Sequence, residues 1–109
     1  FTYIDDIIQG TVAALDKALP CEIFNLGNNN PEEVLKLVLL LEQKRGKKAN
    51  LELLSDEPSE VPMTYADISK SQSVLGYNPQ TSLEQGLNHF LNWYLKFKLD
   101  PQTPSVKTE

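Results

Sequence analysis

A chain of 109 residues, 40% apolar and 23% charged, is sized and composed for one small globular domain. Its formal charge of −5 opposes nucleic-acid binding, which needs cations to displace counterions from phosphates. One cysteine and one histidine exclude an internal disulfide and a thiol–imidazole metal cluster, and the longest apolar run, Val34–Leu41, is far short of the ~20 residues of a membrane span.

Taken in chain order, FTYI is aromatic and β-branched and reads as a strand. Asp5 and Asp6 can cap a following helix, along which Ile8, Val12, Leu15 and Leu19 recur at helical spacing as an apolar stripe, until Pro20 stops it. Glu22–Leu26 (EIFNL) reads as a second strand, buried on both faces. GNNNPEE is a turn into a helix: Gly27 suits a positive φ, Asn30 can cap, Pro31 suits the first helical position and Glu33 can close a capping box. That helix is apolar on nearly every side and is expected to be buried, ending near Arg45 before Gly46.

Ala49–Leu54 (ANLELL) reads as a third strand, followed by a polar, proline-containing loop, SDEPSEVPM. A short helix comes next, with Ser69 and Gln72 as a capping box and Gly76 as its stop. Thr81 or Ser82, paired with Glu84 or Gln85, caps the last helix, whose core stripe is Leu83, Leu87, Phe90, Tyr94 and Phe97. From Asp100 the chain loses periodicity and reads as a disordered tail. The expected fold class is α/β, with about three short strands and four helices. Three short strands with one greasy helix make a poor independent sheet, so part of the structural context is missing.

The chemistry in this stretch is sparse. No Gly-rich phosphate loop is present, and Glu32 and Glu33 would repel an anion from the helix start after Gly27. The basic QKRGKK cluster at Gln43–Lys48 straddles a helix end, where cations complement the dipole. Cys21 has no base beside it in sequence, and a lone thiol fits a reducing cytoplasm. Tyr94 and Lys98 match the Y-x-x-x-K spacing of short-chain dehydrogenases, but Tyr94 sits on the apolar stripe of a terminal helix with no cofactor strand before it; the match reads as chance. Asp56, Glu57 and Glu60 read as a solvated acidic loop. No catalytic, cofactor-binding or metal-binding residue is expected in this chain.

Three stretches, FTYIDDIIQGTVAALD, EIFNLGNNNP and VPMTYADISKSQSVLGYNPQTSLEQGLNHFLNWY, together resemble the extended short-chain dehydrogenase/reductase family of NAD-dependent nucleotide-sugar epimerases and dehydratases, with UDP-glucuronate 4-epimerases the nearest in appearance. The resemblance implies the C-terminal part of an extended Rossmann-type protein, with residues 1–99 a substrate-binding portion and 100–109 a tail. It places Phe1 inside a longer chain whose NAD site and catalytic residues lie upstream. This portion alone would then be silent, while the parent would be a cytoplasmic, homodimeric, NAD-dependent enzyme acting on a nucleotide sugar. It also implies that Glu57, Ser59 and Glu60 lie in the loop that meets the nucleotide, with Glu60 at the ribose hydroxyls, and that Glu33 stands where the family commonly has a small polar residue. The family's Pro-Gly-Asp is replaced here by Pro58-Ser59-Glu60. The competing expectation is a non-enzymatic interaction module that pairs the apolar helix Val34–Leu41 with a partner.

Overall fold

A computed structural model describes residues 1–54, 61 and 63–98. Among them the regular elements are α-helices: α1 (Ile4–Lys17), α2 (Val34–Arg45), α3 (Ser69–Leu75) and α4 (Leu83–Lys98). The tail expected from Asp100 lies outside the described residues.

Each helix end has a local cause. Tyr3 enters α1 in an extended conformation, and Asp5 and Asp6 occupy its first turn, where negative charge favours the exposed N–H groups. Neither of them caps it by a side-chain bond. The helix ends before Pro20, on Ala18 in the left-handed region, whose N–H is shared between the Ala14 and Leu15 carbonyls. α2 starts later than GNNNPEE implies. The Asn28 side chain takes the Asn30 N–H and closes a turn, so Glu33, still extended, becomes the residue before the helix. Gly46 and Gly76 close α2 and α3 at φ +62° and +68°, the expected left-handed stops. At α3 it is Asp67, not a Ser69–Gln72 box, that receives the first N–H and the Ser69 hydroxyl. At α4 the expected box forms: Gln85 N–H donates to Ser82 Oγ and Ser82 N–H to Gln85 Oε1.

The expected α/β fold with three strands is wrong for this chain: the described residues contain no strand. Glu22–Leu26 and Ala49–Leu54 run without regular structure, and FTYI gives its last residue to α1. A strand exists only through a ladder with a neighbour, and none of these segments finds one. Leu54, expected inside a sheet, is 79% exposed.

Packing is by helix pairs, α1 on α3 and α2 on α4. Among the described residues the buried apolar side chains are Ile68, Tyr77, Leu87 and Leu91. Residues 25–28 are stitched to the chain around α3. Ser71 Oγ donates to the Asn25 carbonyl, Asn25 Nδ2 donates to the Asp67 carbonyl, Tyr77 OH donates to the Gly27 carbonyl at 2.9 Å, and the Ala66 N–H donates to the Asn28 carbonyl at 3.0 Å. Gly27 does not take the positive φ expected of it. It is needed for close approach, since a Cβ there would lie 2.8 Å from the Ala66 Cβ. Gly10 has the same role on α1, admitting Leu26 and the Tyr77 ring.

Apolar faces of three helices look outward. The α1 stripe is exposed, with Ile8 at 52% and Leu15 at 72%. Instead the face bearing Asp6 and Gly10 is buried. No residue of α2 is buried, although its apolar sequence anticipated a buried helix. On α4 Leu87 is buried as expected, together with Leu91, whereas Phe90, Tyr94 and Phe97 are open to solvent. Apolar residues stay exposed at the helix surfaces because the described chain offers nothing to cover them.

Candidate functional site

The first turn of α1 and the N-terminal half of α4 meet through a carboxylate. Asp6, 4% exposed, accepts the Thr81 N–H at 3.0 Å just before the Ser82–Gln85 box. Because the acceptor is charged, this bond is of the stronger kind. It sets the start of α4 beside the residues that lead into α1. A groove of about 590 Å³ is lined by Phe1, Tyr3 and Ile4, by Leu83, Phe90 and Trp93 of α4, and by Leu37 of α2. The Tyr3 and His89 rings sit 5.3 Å apart, and the Phe90 and Trp93 rings 5.9 Å apart. Among the described residues no Asp, Glu, Lys or Arg side chain lines the groove. Its lining is mostly apolar and suits an apolar surface.

Of the four site residues implied by the resemblance, Glu33 falls within the described residues. Glu57, Ser59 and Glu60 lie outside them. Glu33 is exposed at the start of α2, one helical turn before Leu37. Its neighbour Glu32 pairs with Lys36. Cys21 is exposed at φ 49°, and Tyr94 stacks on Phe90 with ring centroids 6.0 Å apart. Among the described residues no group of three or more His, Cys, Asp or Glu is placed to hold a metal ion. Among the described residues no helix is long and apolar enough to cross a membrane.

Among the described residues three groups titrate away from their ordinary values, each for a structural reason. Burial pushes the Tyr77 phenol up, and the nearby Asp6 charge adds to that. The Ala49 N–H and then Lys48 hold the Glu42 carboxyl below its ordinary range, and the hydroxyl and N–H of Ser69 do the same for Asp67. Glu42 therefore fastens the chain after α2 back onto the helix, through the Ala49 N–H at 2.8 Å. Lys44 reaches Glu84 at 3.1 Å and joins α2 to α4. These polar anchors are structural. Sequence reading missed Asp6, Ser71 and Tyr77 as long-range partners, because a capping Asp, a helical Ser and a turn Tyr look alike whether their bonds are local or remote.

The alignment with known proteins decides the ancestry. A UDP-glucuronate 4-epimerase of Thermodesulfobacterium geofontis is 46% identical over 94 residues, 85% of this chain and 29% of that protein. The chain is homologous to the C-terminal portion of UDP-glucuronate 4-epimerases. UDP-glucuronate 4-epimerase 4 of Arabidopsis thaliana is 41% identical over 111 residues, and an uncharacterised protein of Methanocaldococcus jannaschii is 43% identical over 98. The crystal structure of the Bacillus cereus UDP-glucuronic acid 4-epimerase, in complex with UDP-glucuronic acid and NAD, superposes with a TM-score of 0.78 at 39% identity, covering 88% of this chain and 31% of that one. No family model matches the chain. The chain thus spans about a quarter to a third of the length of these relatives, and its exposed apolar faces belong to a region that, in them, is accompanied by at least twice as much protein again.

Proposed function

We propose that this chain is the substrate-binding portion, residues 1–99, of an NAD-dependent UDP-glucuronate 4-epimerase, and that it is not catalytic by itself. The observation that carries the reading is the pairing of near-complete coverage of the chain with coverage of only 31% of a homologous epimerase. The rest of such an enzyme would hold NAD, oxidise the sugar C4 hydroxyl to a ketone, and return the hydride to the opposite face. This portion would hold the nucleotide. Glu60, within the stretch Asp56–Val61, is the carboxylate suited to two ribose hydroxyls, since an ionised carboxylate accepts hydrogen bonds at both oxygens. Glu57, Ser59 and Glu33 complete the proposed nucleotide-facing set. The parent enzyme would act in the cytoplasm as a homodimer.

The test is a chimaera joining the portion of the Bacillus cereus epimerase that precedes the matched region to residues 1–98 of this chain. Losing one hydrogen bond to a charged group costs about 1.5–3 kcal/mol, so Glu60→Ala should weaken UDP binding roughly ten- to a hundredfold, while Glu60→Asp retains it. Equal UDP affinity for all three proteins would remove the loop from the nucleotide site.

A further inference from the structure

The formal charge of −5 conceals a basic segment. Residues 34–48 hold five of the chain's ten basic residues and one of its fifteen acidic ones. This segment is α2 and its exit, and the exit folds back on the helix. Gly46 turns the backbone in the left-handed region, Lys47 N–H donates to the Glu42 carbonyl, and Ala49 N–H donates to the Glu42 carboxylate at 2.8 Å. The turn brings Lys47 and Lys48 alongside α2, where they line a shallow groove of about 320 Å³ with Leu39, Glu42, Gln43 and Gly46.

The same side of α2 is apolar. Leu35 and Leu39, four residues apart, form one ridge, and each is more than half exposed. The contacts with α4 are made elsewhere on the helix: Leu37 shares a groove with α4 residues and Lys44 pairs with Glu84. Both lie roughly 140–160° round the helix from Leu39. The Lys48–Glu42 pair is almost fully exposed on the lysine side, a weak kind of pair that leaves the ammonium able to turn outward. Among the described residues Lys47 enters no ion pair. Glu33 precedes α2 at its far end, about 18 Å along the axis from Arg45, beyond the ~8 Å over which charge acts at physiological salt.

Exposed leucines beside lysines match a surface that is apolar just beneath a layer of negative charge, the interface of an anionic bilayer. A stable protein partner needs about 800 Å² from each side, more than two leucines and two lysines supply, whereas lipid takes up single side chains without a shape match. A second copy would set this basic groove against itself. We propose that the outward side of α2, formed by Leu35, Leu39, Lys47 and Lys48, is a peripheral docking site for an anionic lipid surface. It needs no spanning helix and is independent of the epimerase reading above.

The experiment is co-sedimentation of the full chain with vesicles of phosphatidylcholine alone, or of equal parts phosphatidylcholine and phosphatidylserine. Partitioning should be at least about tenfold greater into the anionic vesicles and should fall with added salt. Lys47→Gln should lower it about fivefold and Lys47→Arg should retain it. Leu39→Gln should also lower it about fivefold, while Ile8→Gln, on the exposed α1 stripe, should leave it unchanged. Equal binding to both kinds of vesicle, or to neither, would overturn the proposal. So would a loss caused by Ile8→Gln and not by Lys47→Gln and Leu39→Gln, because adhesion would then be general stickiness of α1. Binding to polyglutamate in place of the anionic vesicles, insensitive to Leu39→Gln, would overturn it in favour of an acidic protein partner.

Discussion

Replacing Gly10 by alanine tests the packing of α1 on the rest of the chain. A Cβ at position 10 would lie 2.6 Å from Leu26 Cδ2, 2.8 Å from Tyr77 Cδ2 and 3.1 Å from Leu26 Cδ1. Carbon atoms in contact prefer roughly 3.5–4.0 Å, so both neighbours must give way by about 1 Å. The Leu26 methyl can rotate, but the Tyr77 ring is held by its hydroxyl on the Gly27 carbonyl. Overpacking of this kind costs about 1–3 kcal/mol, and weakening the Tyr77 bond adds about 1 kcal/mol. Against this, alanine improves helix propensity by about 1 kcal/mol. The net expectation is a destabilisation of about 1–3 kcal/mol. Gly86 is the internal control: it is also helical, yet its added Cβ would meet Tyr3 at 3.4 Å or more, an ordinary contact. Gly86→Ala should therefore stabilise by up to about 1 kcal/mol. Urea unfolding followed by far-ultraviolet circular dichroism measures both variants against the parent chain. Stabilisation by Gly10→Ala to the same extent as Gly86→Ala would refute the close approach of α1 to Leu26 and Tyr77.

Asp6→Ala leaves the Thr81 N–H without its acceptor and should cost about 1.5–3 kcal/mol, whereas Asp6→Asn keeps an acceptor and should cost less; the same urea titration measures both. Both changes should lower the Tyr77 titration midpoint without restoring the ordinary value of 10.0, because burial is the larger cause of its rise. A raised phenol pKa means that its share of stability is whole below pH 10 and is lost as pH rises through the higher folded value, which ultraviolet-monitored alkaline titration follows. Glu42 works in the opposite direction: its depressed pKa adds stability above its ordinary value of 4.5 that fades as pH falls through the folded value. Glu42→Gln should remove that acid dependence and speed amide exchange at Ala49, read by two-dimensional NMR.

Legibility in the sequence followed the range of the interaction. Gly46 and Gly76 could be read as helix stops because the left-handed conformation is a property of single residues. The Ser82–Gln85 box could be read because its partners lie three residues apart. The Asn30–Pro31 start failed on a local competitor, the Asn28 side chain, which composition does not distinguish from a helix cap. The strands failed for a different reason. EIFNL and ANLELL have strand composition, but pairing is a relation between segments, and no partner segment is present among the described residues. The α1 stripe was located by periodicity, which identifies an apolar face without saying what covers it. Of the proposed site, Glu33 is exposed, and Glu57, Ser59 and Glu60, named through family resemblance, lie outside the described residues.

The central claim, that this chain completes an epimerase it cannot replace, is tested most directly by C4 epimerisation of UDP-glucuronic acid with NAD. Three proteins are compared: the isolated chain, the preceding portion of the Bacillus cereus epimerase alone, and the chimaera of the two. The account predicts turnover in the chimaera and none in either part. Turnover by the isolated chain would contradict it, as would a folded, NAD-loaded chimaera that leaves UDP-glucuronic acid unchanged.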